Sequence, residues 1–380
     1  MIYSLISEFN PFHNGHKALI DKVKSQENTI ISVMSSSFVQ RGDISIINKF
    51  DRTRASLLNG VDLVLELPSV YALSNAEVFG SSAIEILKST GVVDKVFFGS
   101  ECGSVEKLKM AIEATKNPLV QEKIQEYMDS GEYYPKAVYK SVREFYPQEI
   151  SNIFSGANNV LGMEYLRAIK GSNIGAETYC RVGSHHDSDI AVGDIASGSF
   201  IRDNYSDKEL YIPSYPISTT AHIENISSAI IYKLSTLSPE ELREVPDVTE
   251  GIENRIIEAV KNYNSFTELC ENIKTKRYTM ARIRRIVCNA LLGIDKEVKT
   301  TPVPYIRVLG FTQKGSRLLK EIKEKSPIPV ITNVKEGYDG LDNEGKRIFD
   351  IEILASRLWS LGSDDKIQIK NDFNQGLIKV

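Results

Sequence analysis

The sequence predicts an α/β protein built on a Rossmann-like, doubly wound parallel sheet, with a mostly helical C-terminal region and a small α+β tail. Three observations predict it. Segments such as residues 29–34 and 61–67 are apolar almost without interruption, the pattern of strands buried on both faces. They alternate with segments whose apolar residues recur at helical spacing, as in sheets covered by helices. The chain has 380 residues, 42% apolar and 25% charged, and is long enough to bury a large core without disulfides or metals.

A short strand over 3–6 precedes a helix starting at Gly15, where His16, Leu19, Ile20 and Val23 fall at i, i+3, i+4 and i+7. A β-rich segment follows at 29–34, a helix at 51–58, and a strand at 61–67 that Pro68 stops. Ser74 and Glu77 have the spacing of a capping box for the next helix, whose buried face is Ala76, Phe79, Gly80, Ala83, Ile84 and Leu87. A strand over 93–98 ends in Gly99-Ser100. Residues 105–147 read as helix with breaks at Asn117-Pro118 and Tyr134-Pro135. A helix from Ala157, a strand over 177–182, a polar loop and a short helix near Ser199 complete a first domain, 1–212. The character changes at Pro213 and Pro216. Helices over 221–234, 239–244, 253–262, 266–272 and 280–292 make 213–300 a helical region. The tail, 301–380, mixes strands near 305–309 and 329–332 with helices near 316–323 and 347–361.

Composition excludes several function classes. No apolar run approaches the ~18 residues needed to cross a bilayer, so no membrane association is expected. The N-terminus lacks the basic and apolar regions of a secretory signal. The four cysteines form no CxxC pair, which argues against a zinc knuckle or a disulfide framework and fits a reducing, cytoplasmic setting. With 46 basic and 50 acidic residues, the net charge of −4 leaves only a local patch for any nucleic-acid partner. Nothing in the sequence indicates a protein partner.

The chemistry-bearing segment is Asn10-Pro11-Phe12-His13-Asn14-Gly15-His16. It lies just past the first strand, where parallel sheets bind ligands, and opens a helix whose free amides and positive dipole end favour phosphate. Gly15 lets the backbone come close to a ligand. His13 and His16, three residues apart, can both face that point and donate hydrogen bonds to phosphate oxygens. Two plainer readings stand beside this one: a capping or core histidine, and an H-x-x-H metal pair, for which no third ligand lies nearby in sequence.

These residues and several later blocks together resemble one family. The blocks are Glu8-Phe9-Asn10-Pro11-Phe12-His13-Asn14-Gly15-His16, Phe38-Val39-Gln40-Arg41-Gly42, Asn59-Gly60-Val61-Asp62-Leu63-Val64-Leu65-Glu66-Leu67-Pro68, Phe98-Gly99-Ser100-Glu101, residues 158–166, and Tyr278-Thr279-Met280-Ala281-Arg282-Ile283-Arg284-Arg285. H-x-G-H after strand one marks the HIGH-type nucleotidylyltransferase superfamily. The full set resembles the bacterial tRNA(Met) cytidine acetate ligases, strongly over 1–295 and more weakly in the tail. One departure is visible: Met34-Ser35-Ser36-Ser37 stands where that family usually reads Met-Ser-Gly-Asn.

The resemblance implies a two-step reaction: ATP and acetate give acetyl-adenylate, and the wobble cytidine of elongator tRNA(Met) then takes the acetyl group on N4. His13 and His16 suit the first step, which needs positioned donors rather than a protein nucleophile. Ser197-Gly198-Ser199-Phe200-Ile201-Arg202 resembles the superfamily's second phosphate motif, so Ser199 and Arg202 join the catalytic set. Phe9, Asn10, Pro11, Phe12, Asn14, Gly15, Gly99, Asn158 and Arg181 are the implied ATP contacts. Lys49 is added as a residue that reaches phosphate or acetate, with a solvated lysine as the alternative. Mg²⁺ is expected with ATP, but no carboxylate cage for it can be read. His185 and His186 read as loop residues rather than metal ligands.

For RNA, residues 274–285 hold six basic side chains and no acidic one. A solvated helix face is the plain reading; the resemblance favours contact with the phosphate backbone through Lys274, Lys276, Arg277, Arg282 and Arg285. A 100° helical step places Ile283 and Val287 on the apolar face, Arg282 and Arg285 opposite and open to solvent, and Arg284 at the rim, where it must snorkel outward or find an inward acceptor. Two other functions remain open at this stage. One is a small-molecule adenylyltransferase of the same superfamily, which the residues beyond the catalytic domain disfavour. The other is a nucleotide- or RNA-binding protein without turnover, which the intact His13, His16, Ser199 and Arg202 disfavour.

Overall fold

The computed structural model describes residues 1–181, 191–249, 251–365 and 372–380. His185 and His186 lie outside the described residues. Among the described residues there are ten strands: β1 (Ile2–Ser7), β2 (Thr29–Ser35), β3 (Phe38–Val39), β4 (Asp43–Ile44), β5 (Leu63–Leu67), β6 (Lys95–Ser100), β7 (Gly175–Cys180), β8 (Ile306–Phe311), β9 (Val330–Ile331) and β10 (Ile378–Lys379). The helices of the first region are α1 (Asn14–Asp21), α2 (Lys49–Leu58), α3 (Ser69–Ala72), α4 (Ala76–Thr90), α5 (Val105–Ala114), α6 (Pro118–Asp129), α7 (Tyr134–Phe145), α8 (Gln148–Ser151), α9 (Ala157–Ile169) and α10 (Gly198–Asp203). Then follow α11 (Ser227–Ser235), α12 (Pro239–Glu244), α13 (Ile252–Val260), α14 (Phe266–Ile273), α15 (Met280–Leu292), α16 (Lys296–Thr300), α17 (Gln313–Lys325), α18 (Val334–Asp339) and α19 (Asn343–Leu361).

The main sheet runs β10-β8-β5-β2-β1-β6-β7, with β9 also on β8. From β5 to β7 every pairing is parallel. The chain builds outward from β1 to β2 and β5, then returns to add β6 and β7 on the other side of β1. This reversal makes the carboxyl end of β1 the switch point, where a crevice opens. Ile30, Ile31, Val33, Met34, Leu63, Val64 and Leu65 are all buried, as their unbroken apolar character requires.

The boundaries depart from the sequence reading in informative places. Ser74 does not cap α4; its hydroxyl donates to the Val70 carbonyl, and Asn75 accepts the Val78 amide instead. Residues 221–234 begin as a 3₁₀ turn (Ile223–Ile226) before α11. The tail, expected as a small unit from 301, places β8 antiparallel against β5 and carries β9 and β10 on the outer edge of β8. Its long helix α19 reaches back to the β3–β4 hairpin, where Trp359 Nε1 donates to the Ser45 carbonyl at 2.5 Å.

Candidate active site

The loop after β1 is shaped by one buried cation. Phe9 adopts φ +47°, a conformation that non-glycine residues rarely take and that needs support from its surroundings. Arg52, on α2 and fully buried, supplies it. Its Nη1 donates to the carbonyls of Glu8 and Ser35, its Nη2 to Ser36 and to Ser45 Oγ, and its Nε to the Ile47 carbonyl. The end of β1, the end of β2 and the chain leaving β4 are thereby tied to one planar group.

The loop then delivers His13 to the start of α1. The His13 and His16 rings stack with centroids 3.6 Å apart, and the His13 amide donates to His16 Nδ1 at 3.3 Å. With Nδ1 accepting, neutral His16 carries its proton on Nε2 and remains a donor. Burial, and then His13 and Arg181 nearby, hold His16 well below the usual histidine range, so it is neutral at physiological pH. Gly15 is required by His13: a Cβ would lie 2.9 Å from the His13 ring. Its role is thus to admit that ring, rather than simply to expose backbone.

Both histidines open into a cleft of about 450 Å³ at the switch point. One wall comes from β6, β7 and α9. The Glu101 carboxylate accepts the amides of Asn158 and Asn159 at the first turn of α9 and the Asn158 side-chain amide, at 2.7–3.1 Å. These bonds hold its carboxyl below the usual range despite burial. Asn158 Oδ1 in turn accepts Arg181 Nη1 at 3.0 Å. The Arg181 stem lies across Gly99, where a Cβ would approach it to 3.1 Å. Facing this wall is α10, capped by Ser197, with Ser199 and Arg202 lining the cleft and Arg202 Nη1 donating to the Asn10 carbonyl at 2.7 Å.

Against known proteins, residues 1–374 match the HIGH Nucleotidyl Transferase family. A tRNA(Met) cytidine acetate ligase of Thermoanaerobacter sp. strain X514 is 39% identical over the full length of both chains, and one of Clostridium perfringens is 32% identical over 98% of each. This chain belongs to the tRNA(Met) cytidine acetate ligase family. A crystal structure of Thermotoga maritima TmcAL superposes with a TM-score of 0.89 at 28% identity, covering 100% of this chain and 99% of that one. A second, bound to alpha-thio ATP, gives 0.87 with the same coverage.

For this member of the tRNA(Met) cytidine acetate ligase family, the structure gathers most of the residues singled out from the sequence. Phe9, Asn10, His13, Gly15, His16, Gly99, Asn158, Arg181, Ser199 and Arg202 all line the cleft. Four do not. Phe12 is buried among apolar side chains, its carbonyl accepting Tyr215 OH, and Pro11 beside it is buried as well. Asn14 is not part of the cleft lining; its amide and side chain donate to the carbonyls of Tyr211 and Asp194, anchoring the segment that carries α10.

Lys49 is neither solvated nor at the cleft. It opens α2 in a buried ion cluster, 2.7 Å from Glu66, 2.6 Å from Asp372 and 3.4 Å from Glu352, with Arg307 3.0 Å from Glu66 and 2.7 Å from Asp372. Burial pulls Lys49 down, but Asp372 and Glu66 more than offset it and keep the ammonium charged. Burial, then Glu66, pushes Glu352 up. Ser36 hydrogen-bonds both Glu66 and Glu352, so the hydroxyl at the departing position belongs to this cluster.

The other wall was not anticipated. Glu8, Gln40, Arg41 and Asp43 line it, together with Arg284 from α15. Glu8 accepts the Gln40 amide at 2.7 Å, and burial raises its carboxyl against the pull of that bond and of Arg202, Arg52 and Arg41. The missed signal was the alternation Arg41-Gly42-Asp43: a tight turn carrying opposite charges between β3 and β4.

The arginines of α15 are also redistributed. Arg284 finds the inward acceptor its rim position demanded, donating to Asp43 at 3.0 Å. Arg285 is not open to solvent: its side chain is 12% exposed and packs against Asp247 and the Gln40 carbonyl. Arg282 donates to the Asp247 carbonyl and Thr249, over the Tyr278 ring. Lys274, Lys276 and Arg277 are exposed.

Proposed function

We propose that this chain is an ATP-dependent ligase that activates acetate and transfers it to the wobble cytidine of elongator tRNA(Met) in the cytoplasm. The observation that carries this reading is the cleft itself: His13, His16, Ser199 and Arg202, separated by up to 189 positions in sequence, converge on one space large enough for a nucleotide. In the first step an acetate oxygen attacks the α-phosphorus of ATP and pyrophosphate leaves. Negative charge grows on the phosphate oxygens, and fixed donors stabilise it without reorganisation. Neutral His16 donates from Nε2, and Arg202 and the first turn of α10 hold the departing phosphates. Asn158, Arg181 and Gly99 form the wall for the nucleoside. In the second step the cytidine N4 amine attacks the acetyl carbonyl, the mixed-anhydride bond breaks, and AMP leaves with its electron pair.

Among the described residues, no group of three or more His, Cys, Asp or Glu is placed to hold a metal ion. A Mg²⁺ ion arriving with ATP fits phosphate oxygens and water better than this donor set. No helix among the described residues is long and apolar enough to cross a membrane. The division of labour we propose gives the ATP cleft to residues 1–212, RNA contact to 213–300, and closure of the sheet to 301–380. Acetate-dependent exchange of labelled pyrophosphate into ATP, followed by nucleoside analysis of tRNA(Met) incubated with labelled acetate, tests the reading. Labelling that required acetyl-CoA in place of acetate and ATP would refute it.

A further inference from the structure

We propose that Arg284 is the phosphate anchor that seats the RNA strand at the rim of the cleft. This rests on the ligase reading and names a residue that carries RNA to the acyl donor. The basic run over 274–285 points outward at Lys274, Lys276 and Arg277, but its inner end is differentiated by tertiary contacts. Arg282 and Arg285 are committed to the 247–249 segment and the Gln40 carbonyl. Arg284 alone of these three arginines lines the cleft, and 29% of its side chain stays exposed.

Its placement is fixed from two sides. The guanidinium lies over the Phe266 ring at 4.9 Å, and Nη2 donates to Asp43 at 3.0 Å. Asp43 thus aims the cation at the cleft while leaving other N–H groups of the fork for a second oxyanion. The side of the cleft matters as well. Gly99, Asn158 and Arg181 belong to β6, the helix before β7 and the chain just past β7, on one side of β1, whereas Asp43 belongs to the separate β3–β4 hairpin that follows β2 and carries Arg284 against it. A nucleotide that meets an adenylate held against the first group shares the cleft with the second. A phosphodiester presents two non-bridging oxygens, which a fixed arginine fork can meet with two N–H groups. Lys274, Lys276 and Arg277, exposed on the chain just upstream, add to the attraction for an RNA backbone.

The test compares two steps catalysed by one protein. Arg284→Ala is expected to raise KM for tRNA(Met) tenfold or more and to lower the slope of log Kd against log salt by about one. Acetate-dependent pyrophosphate exchange without tRNA should fall at least tenfold less than the tRNA-dependent rate. Arg284→Lys, which keeps the charge but not the fork, should retain the salt slope with partial recovery of KM. If Arg284→Ala fails to fold, Arg284→Gln, which keeps the three stem carbons and a polar end but not the charged fork, must give the same loss. Equal loss in exchange and transfer, or an unchanged tRNA KM and salt slope, overturns the anchor alone. Absence of acetate-dependent exchange in the unaltered protein overturns the ligase reading and the anchor with it.

Discussion

Gly42 sits directly against the backbone of Arg285: a Cβ on Gly42 would lie 2.4 Å from the Arg285 amide nitrogen. The same glycine has φ +74°, which completes the turn between β3 and β4. Two independent requirements therefore meet at one position. The hairpin that lines the cleft and the helix that carries the basic run are in backbone contact there.

Gly42→Ala should be severely destabilising. The left-handed conformation costs about 1–2 kcal/mol for an L-residue, and a backbone overlap cannot be relieved by a side-chain rotation. We expect a loss of at least about 2 kcal/mol, with raised KM for both ATP and tRNA in whatever protein remains folded. Chemical denaturation measures it; a variant as stable as the parent would show that hairpin and helix separate freely.

His16 makes stability depend on pH in a defined direction. Its folded pKa is depressed, so below about pH 6.5 the unfolded chain binds a proton that the folded chain refuses. Stability falls as pH drops through that range, by up to about 1.4 kcal/mol per unit from this residue. His16→Asn should flatten the decline in melting temperature between pH 7 and pH 5.5. The same substitution should slow pyrophosphate exchange by about 10²–10³. Identical pH profiles for the two proteins would mean that His16 is protonated in the fold.

Lys49→Met separates structure from catalysis. It leaves Glu66, Glu352 and Asp372 buried with Arg307 as the remaining cation of that cluster. Removing one member of such a cluster costs about 3–5 kcal/mol. Thermal melts should show a large loss, while KM for ATP, measured well below the melting temperature, should stay within twofold of the parent. A selective rise in that KM would return Lys49 to the nucleotide site.

Arg285→Ala should act on stability rather than on RNA. Its side chain bonds the Gln40 carbonyl and sits 3.7 Å from Asp247, and we expect a loss of about 1–3 kcal/mol. Its effect on the salt slope of tRNA binding should be far smaller than that of Arg284→Ala. A shallower slope with an unchanged melting temperature would restore the solvent-facing assignment.

Much of this was written in local sequence. Unbroken apolar strands announced the parallel sheet, and the periodicity of 280–292 matches α15 residue for residue, because burial on one face is a local pattern. The H-x-G-H spacing gave the histidine pair, since three residues across a helix start bring two rings together. What periodicity cannot give is the identity of whatever covers a polar face. The face of α15 opposite its apolar stripe is met by the β3–β4 hairpin and the 247–249 segment, so Arg285 is enclosed and Arg284 enters the cleft. Lys49 is the same lesson at longer range. Its partners Glu352 and Asp372 lie some three hundred residues away, and only the docking of the tail strands beside β5 brings those charges together. A lone lysine is read as solvated because burying it unpaired is costly. Tertiary structure removed that objection by supplying the carboxylates.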